Sequence, residues 1–357
     1  MSGGVDSSVA AALLKNEGYE VIGMTMRIWS KNKKEDQNRF GDYYGIDSIK
    51  DAKKVANKLG IHHYVLNFED IFREKVIANF CEEYRKGRTP NPCIRCNRYL
   101  KFGALLKKAK ELGAAYIATG HYARIEYDKD KKRYLLKRGI DHKKDQSYAL
   151  YIMTQEQLKH TLMPLGEFTK GKTRAIAQEL DLPVVGRPES QEICFIPDND
   201  YPKFLQECLP EAAKPGPILD KKGRIIGEHR GILFYTIGQR KRIGLSAKEP
   251  LYVIAINQKN NSIVVGKKKE VYAKRLIATS INYVAIEKLE GSLKVKAKVR
   301  SLHQPAEAVA TSLTRKRALV EFKKPQWALT PGQAVVFYRR DLVIGGGIIS
   351  VSGQSRQ

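Results

Sequence analysis

The period of apolar and polar positions changes along the chain, and each change marks a different architecture. Ala10-Ala11-Ala12-Leu13-Leu14 follows a Gly/Ser turn and predicts a helix from Ser7 to Asn16, closed by Gly18. Glu20–Met26 reads as a buried strand, and the polar, Gly/Tyr-rich residues 30–46 as a loop. From Asp47 to Leu59 the residues Ile49, Ala52, Val55, Ala56 and Leu59 fall on one helical face. Ile61–Leu66 is the next strand, with His62 and His63 as strand-end residues rather than ligands. Asp70–Lys86 has Phe72, Val76, Phe80 and Tyr84 at helical spacing. A proline-pinned loop then covers Gly87–Asn97, followed by a helix over Asn97–Leu112 and a strand over Ala115–Thr119.

Strand and helix alternating in this order predict an α/β fold, a Rossmann-like parallel sheet with helices on both faces. Ligands of such sheets sit beyond the carboxyl ends of the strands, where Met26, Gly120 and His121 fall. Residues 123–139 read as a hairpin, Lys143–Tyr148 as a polar knot, and 155–162 and 170–180 as amphipathic helices. After the irregular Gly186–Pro197, short strands and glycine turns take over. The expected division is a catalytic α/β domain over 1–200, a small mixed α/β module over 201–272, and a C-terminal β-barrel over 273–357. Leu293–Arg300 alternates apolar and basic, which predicts one face carrying Lys294, Lys296, Lys298 and Arg300.

Charge adds a partner to this outline. The 357 residues hold 64 Lys+Arg against 38 Asp+Glu, a formal +26, and a field of that size suits a polyanion such as RNA. Over residues 276–357 the count is 13 basic against 5 acidic, a net +8 on the expected barrel. Small basic barrels commonly serve as RNA platforms. No apolar run approaches the ~20 residues of a membrane helix, and no basic-then-apolar leader opens the chain, so a cytoplasmic protein is expected. Five cysteines, an odd number, point to chemistry or metal rather than a disulfide framework, with Cys81 and Cys208 read as packing.

The chemistry begins at Ser2-Gly3-Gly4-Val5-Asp6-Ser7-Ser8. Two glycines let a ligand approach the backbone, and the helix that follows offers unpaired N–H groups to an anion. The P-loop of kinases and GTPases would need a Lys, which is absent here. The pattern instead resembles the PP-loop of ATP pyrophosphatases, adenine nucleotide alpha hydrolase-like enzymes that split ATP into AMP and pyrophosphate. Such a loop should follow a hydrophobic strand, and the resemblance implies that this strand ends Gly-Met. Met1 stands where that methionine would be, so the natural protein is expected to have a central strand ahead of this chain.

Further segments make the resemblance specific. They are Gly87-Arg88-Thr89-Pro90-Asn91-Pro92 with Cys96-Asn97 and Lys101-Phe102, Ala118-Thr119-Gly120-His121-Tyr122, Lys144-Asp145-Gln146-Ser147-Tyr148, Ser190-Gln191-Glu192-Ile193-Cys194-Phe195, Thr236–Lys241 and Thr330-Pro331-Gly332-Gln333. In this order along nearly the whole chain, they resemble the bacterial tRNA-specific 2-thiouridylases. The resemblance implies ATP bound over Ser2, Gly3, Gly4, Val5, Asp6 and Ser7, with Met26 and Gly120 at the adenosine and Mg²⁺ on the phosphates. It implies adenylation of the C2 oxygen of the wobble uridine in tRNAs for Lys, Glu and Gln. Cys194 matches the persulfide carrier and Cys96 its partner thiol. Sulfur then reaches C2 either from the persulfide directly or after release by Cys96, which leaves a Cys96–Cys194 disulfide. The persulfide would come from a cysteine desulfurase or a sulfur-carrier protein.

RNA contacts are implied at Asn91, Pro92 and Cys93, at His121, Lys144, Asp145 and Gln146, and at Arg300, Ser301 and Gln333. Arg95 and Arg98 beside Cys96, and Arg187 before Cys194, are expected to lower the thiol pKa values. Many family members have Asp where this chain has Cys93. Cys93, Cys96 and Cys194 could thus hold a [4Fe–4S] cluster with one open iron; alternatively Cys93 is structural. Two other readings stay open at this point: another PP-loop ligase acting on tRNA, and an RNA-binding protein with a degenerate ATP site.

Overall fold

The computed structural model describes residues 1–28, 46–188, 193–196 and 200–352. The expected loop over 30–46 therefore lies outside the described residues except for residue 46, as do Ser190, Gln191 and Glu192. The chain forms two compact units. One is Met1–Val76, Cys93–Asn199 and Asp341–Val343; the other is Ile77–Pro92, Asp200–Arg340 and Ile344–Gln357.

In the first unit, α1 (Val5–Asn16) is followed by β1 (Gly23–Arg27), α2 (Ile46–Leu59) and β2 (His63–Asn67). β1 and β2 pair in parallel from Gly23 against His63 to Arg27 against Asn67. A helical run then passes through α3 (Glu69–Phe72), a π-helical stretch (Arg73–Ile77) and α4 (Ala78–Arg85), and leaves the unit after Val76. α5 (Pro92–Cys96) continues through a second π-helical stretch, Asn97–Leu105, into α6 (Leu106–Glu111). The helix expected from Asn97 thus starts at Pro92. Proline fits the first helical position, where its missing N–H would have no partner anyway. Cys93 and Cys96 consequently lie on a helix, not in a loop.

β3 (Ile117–Ala118), the hairpin of β4 (Ala123–Asp128) and β5 (Arg133–Arg138), α7 (Ser147–Leu150), α8 (Gln155–Lys159), β6 (Thr161–Leu162) and α9 (Lys170–Glu179) complete the unit. β3 and β6 are parallel. A buried cluster of Val5, Val9 and Ala10 of α1, Val55 of α2, and Ile176 and Ala177 of α9, with Tyr122 and Leu182, locks these helices together. Each large apolar side chain buried there contributes about 1.5–3 kcal/mol. That rigidity fixes the first turn of α1 against the first turn of α9.

The second unit begins its later part with α10 (Tyr201–Cys208) and the strands β7 (Gly216–Leu219), β8 (Ile225–His229), β9 (Tyr252–Asn257) and β10 (Ser262–Gly266). Their order is β8-β7-β10-β9, with β7 and β10 parallel and the other pairs antiparallel. A closed antiparallel barrel follows, formed by β11 (Tyr272–Tyr283), β12 (Ser292–Lys298), β13 (Ala306–Thr314), β14 (Arg317–Trp327), β15 (Ala334–Arg339) and β16 (Leu342–Ser352). The order is β11-β14-β13-β12-β15-β16, and β16 closes on β11. Closure leaves no free strand edge.

The fold class read from the chain holds in all three parts, but the predicted row of four cations on β12 does not. Lys294 and Lys296 are exposed, whereas Lys298 is buried. Arg300 lies past the strand end, and its guanidinium donates to Ile237 O (3.3 Å), Ala328 O (3.3 Å) and Thr330 Oγ1 (2.7 Å). Strict alternation gives a solvent face only while the strand keeps one side in water, and here the last two cations turn inward.

Candidate active site

The Gly/Ser turn is shaped by contacts that only glycine permits. Gly3 has φ +72°, and a Cβ there would meet Ser48 O at 2.4 Å. A Cβ on Gly120, two residues past β3, would stand 2.7 Å from the Asp6 carbonyl carbon. Two segments far apart in sequence are therefore pressed together at the head of α1. Gly4 caps α1 with extended backbone and no side-chain cap bond. The hydroxyls tie the turn internally: Ser2 N–H donates to Ser7 Oγ (3.1 Å), and Ser7 and Ser8 Oγ donate to Gly4 O (3.1 and 2.9 Å). Val5 is buried in the core cluster beneath. Met26, opposite Leu66, is the penultimate residue of β1.

Asp6 is not a free carboxylate. Its Oδ1 accepts from Lys170 Nζ at 2.6 Å and lies 2.9 Å from the Tyr122 hydroxyl, which is also 3.0 Å from Thr173 Oγ1. Lys170 and Tyr122 are absent from the residues picked out by sequence. Tyr122 stands in the quoted Gly120-His121-Tyr122 segment. The only signal for Lys170 is Thr169, which caps α9 by accepting from Lys172 N–H (3.3 Å) and so makes Lys170 the first helical residue.

The three thiols also gather in this unit. All are free: Cys93 is exposed, and Cys96 and Cys194 are half-buried. The turn holding Cys194 is anchored by Phe195, 3% exposed, whose ring meets Phe72 edge-on at 5.6 Å. Burial pushes the Cys194 thiol up to about 12, and the negative charge on Cys96 and Cys93 when ionised adds to the rise. Burial also raises Cys96. This overturns the expectation of lowered thiols, and the reason is where the arginines point. Arg95 donates to Lys75 O (3.1 Å) and lies over the Tyr99 ring, Arg98 also faces Tyr99, and Arg187 pairs with Asp51. Among the described residues, Lys101 is the cation that acts against the rise at both Cys96 and Cys194. Lys101 is five residues past Cys96, and the i→i+5 pattern of the intervening π-helical stretch brings such residues to one side.

Among the described residues no three His, Cys, Asp or Glu side chains stand close enough together to hold a metal ion. The [4Fe–4S] alternative on Cys93, Cys96 and Cys194 is therefore unsupported, because these thiols do not form a preassembled ligand set.

Most of the residues expected at RNA already hold protein partners. His121 is buried, with Nδ1 2.8 Å from Thr119 Oγ1 and Nε2 3.3 Å from Lys101 Nζ. Burial, then the charge of Lys101, holds its pKa well below the usual histidine value, so the ring is neutral. Asp145 is buried; it pairs with Arg138 (2.9 Å) and accepts from Ser147 N–H (3.1 Å), so it braces the polar knot. Gln146 Oε1 accepts from Tyr122 N–H at 3.0 Å. Lys144 is half-buried and Ser301 exposed. In the second unit Gln333 Nε2 donates to Thr89 O (3.1 Å) and Pro90 O (3.2 Å), which ties it to the segment carrying Asn91 and Pro92.

Comparison with known proteins covers the chain almost end to end. A family model described as "tRNA methyl transferase HUP domain" matches residues 1–198. "tRNA methyl transferase PRC-barrel domain" matches 202–267, and "Aminomethyltransferase beta-barrel domain" matches 273–349. A tRNA-specific 2-thiouridylase MnmA of Acetivibrio thermocellus is 55% identical over 98% of this chain and 97% of that protein. A tRNA-specific 2-thiouridylase of Caldanaerobacter subterraneus subsp. tengcongensis is 54% identical over 98% of this chain and 96% of its own length. One from Clostridium perfringens is 52% identical with the same coverage, 98% and 96%. The model descriptions speak of methyl transfer, whereas the full-length relatives are named 2-thiouridylases. With three models matched in order and full-length relatives above half identity, the chain belongs to the tRNA-specific 2-thiouridylase family.

Proposed function

We infer that the chain is a tRNA-uridine 2-sulfurtransferase that uses ATP to activate the wobble uridine and a cysteine persulfide to thiolate it. One observation carries the reading: a single compact unit holds both an ATP-type glycine turn and the Cys96/Cys194 thiols. The turn of Ser2–Ser7 and the uncapped head of α1 suit the triphosphate, with Gly120 and Met26 toward the adenosine. Mg²⁺ would accompany ATP as its counter-ion. The uracil C2 oxygen attacks the α-phosphorus, pyrophosphate leaves, and C2 now carries AMP as a leaving group.

Cys194 carries the persulfide. Its terminal sulfur attacks C2, AMP departs with the former C2 oxygen, and the sulfur stays bridged between C2 and Cys194. The Cys96 thiolate then attacks Cys194 Sγ. The S–S bond to the new thiocarbonyl breaks, 2-thiouridine is released, and a Cys96–Cys194 disulfide remains for an external dithiol to reduce. The high thiol pKa values in the free protein support a site that stays protonated until substrate arrives. In the first unit Cys93, His121, Lys144, Asp145 and Gln146, and in the second Asn91, Pro92, Arg300, Ser301 and Gln333, are proposed to serve RNA binding. Asp145, Gln146 and Arg300 do so by holding backbone, given the bonds they already make. The acceptors proposed are tRNAs for Lys, Glu and Gln, and the donor a cysteine desulfurase or sulfur-carrier protein in the cytoplasm. The proposed division is 1–200 for catalysis, 201–272 as a connecting module, and 273–357 for RNA.

The test incubates protein, tRNA, ATP and a persulfide donor, and assays AMP, pyrophosphate and 2-thiouridine. All three should form. Cys194→Ser should abolish thiouridine while pyrophosphate still appears with tRNA, because adenylation precedes the sulfur attack that releases AMP. Formation of ADP, or undiminished thiouridine from Cys194→Ser, would sink the reading.

A further inference from the structure

The glycine turn presents backbone dipoles and hydroxyls but no cation of its own. ATP carries about four negative charges, and in P-loop proteins a Lys within the loop meets the β- and γ-phosphates. Here a lysine arrives from elsewhere in the chain. Lys170 opens α9, with its backbone N–H held by Asp141 Oδ2 (3.0 Å) and Thr169 as the helix cap. Its residue is 9% exposed, and its ammonium is 2.6 Å from Asp6 Oδ1, inside the turn itself. The position is rigid, because α9 and α1 share the cluster of Ile176, Ala177, Val5 and Val9.

We propose that Lys170 is the phosphate-binding cation of this ATP site, which leaves Asp6 to meet the β- and γ-phosphates of bound ATP. The proposal rests on the ATP reading above and names the residue that meets the triphosphate. The arrangement around Asp6 favours a pair that opens over one that only braces the turn. Asp6 Oδ1 has a second partner, the Tyr122 hydroxyl at 2.9 Å, so the carboxylate keeps a hydrogen bond when the ammonium turns to phosphate. Tyr122 is itself fixed at Thr173 and buried at 2% exposure. The ammonium also lies 5.9 Å from the centroid of the Tyr122 ring, on the same side of the site as the hydroxyl that holds Asp6. No bond is made or broken covalently; one ion pair is exchanged for another. The pyrophosphate leaving group would be met by the same cation.

A purely structural Lys170 would hold the turn for any adenine nucleotide alike, whereas a phosphate ligand distinguishes nucleotides by their phosphates. The experiment measures dissociation constants of ATP, inorganic pyrophosphate and AMP for the full chain and for Lys170→Met and Lys170→Gln. The Gln variant keeps a donor to Asp6, so it preserves the turn if the Met variant fails to fold. A charge-assisted bond lost should weaken ATP and pyrophosphate roughly tenfold to a hundredfold. AMP affinity should stay within about twofold, and Lys170→Arg should restore part of the ATP affinity. Equal weakening of AMP and ATP, or unchanged ATP binding by a folded variant, overturns the proposal. Failure of the unaltered chain to bind ATP would instead sink the ATP reading.

Discussion

At the scale of residues, burial outweighs neighbouring charge at the thiols of Cys96 and Cys194. Cys194 shows this, because its thiol is pushed up to about 12 despite the lowering influence of Lys101. The sign for stability follows from proton counting. The unfolded thiol loses its proton near about 8.5, whereas the folded one holds it until about 12. Between those values the folded state binds the extra proton, so stability is complete below the lower one and falls as pH rises toward the upper. Denaturant midpoints measured at pH 7.5 and 10 should therefore drop for the unaltered chain, and drop less for Cys194→Ala. Equal drops would mean that the thiol is not buried in its protonated form. At His121 the two influences act together: burial and then the charge of Lys101 both hold the pKa well below the usual histidine value, so the ring is neutral imidazole.

At the scale of elements, two departures from regular geometry set the site. The helix that starts at Pro92 passes through nine π-helical residues, Asn97–Leu105. A Cβ on Gly103 within that stretch would stand 2.9 Å from Arg98 O, so the widened turn is built around a glycine. Alternation on β12 fails in a related way, because the strand stops at Lys298 and the next cation is bound internally. The β5–α7 connection depends on a buried pair, Asp145 with Arg138 at 2.9 Å, where the aspartate side chain has no exposure. Breaking one side of such a pair leaves an uncompensated charge. Asp145→Asn should lower unfolding free energy by about 3 kcal/mol, measured by urea titration. A change below about 0.5 kcal/mol would show that the pair is dispensable.

At the scale of the whole molecule, the +26 charge is a property of the surface and not of one motif. Among the cations of β12, only Lys294 and Lys296 remain exposed. Replacing both by Gln should reduce the slope of log affinity against log salt for tRNA by about 2, with the fold unchanged. Filter binding across a salt series measures it. An unchanged slope would place the RNA on another face of the barrel. The second unit has its own internal logic, since Gln333 on the barrel side grips the Thr89–Pro90 backbone. A Cβ on Gly332 would stand 2.8 Å from Thr89 O, so that grip depends on a glycine as well.

Periodicity and motif order were enough for the architecture. Alternating strands and helices predicted the α/β part, period-two segments the barrel, and the glycine turn with two distant cysteines the chemistry. These signals are local, and local spacing determines them. What lay beyond the sequence was every feature created by contact between distant segments. Lys170 reaches Asp6 across 164 positions, and no spacing rule links them. Arg95, Arg98 and Arg187 are close to thiols in sequence but turn to other partners, while Lys101 reaches the thiols through a π-helical register that composition does not announce. Whether a charged side chain faces a reacting group or a structural partner depends on which desolvated atoms surround it, and only the folded chain decides that.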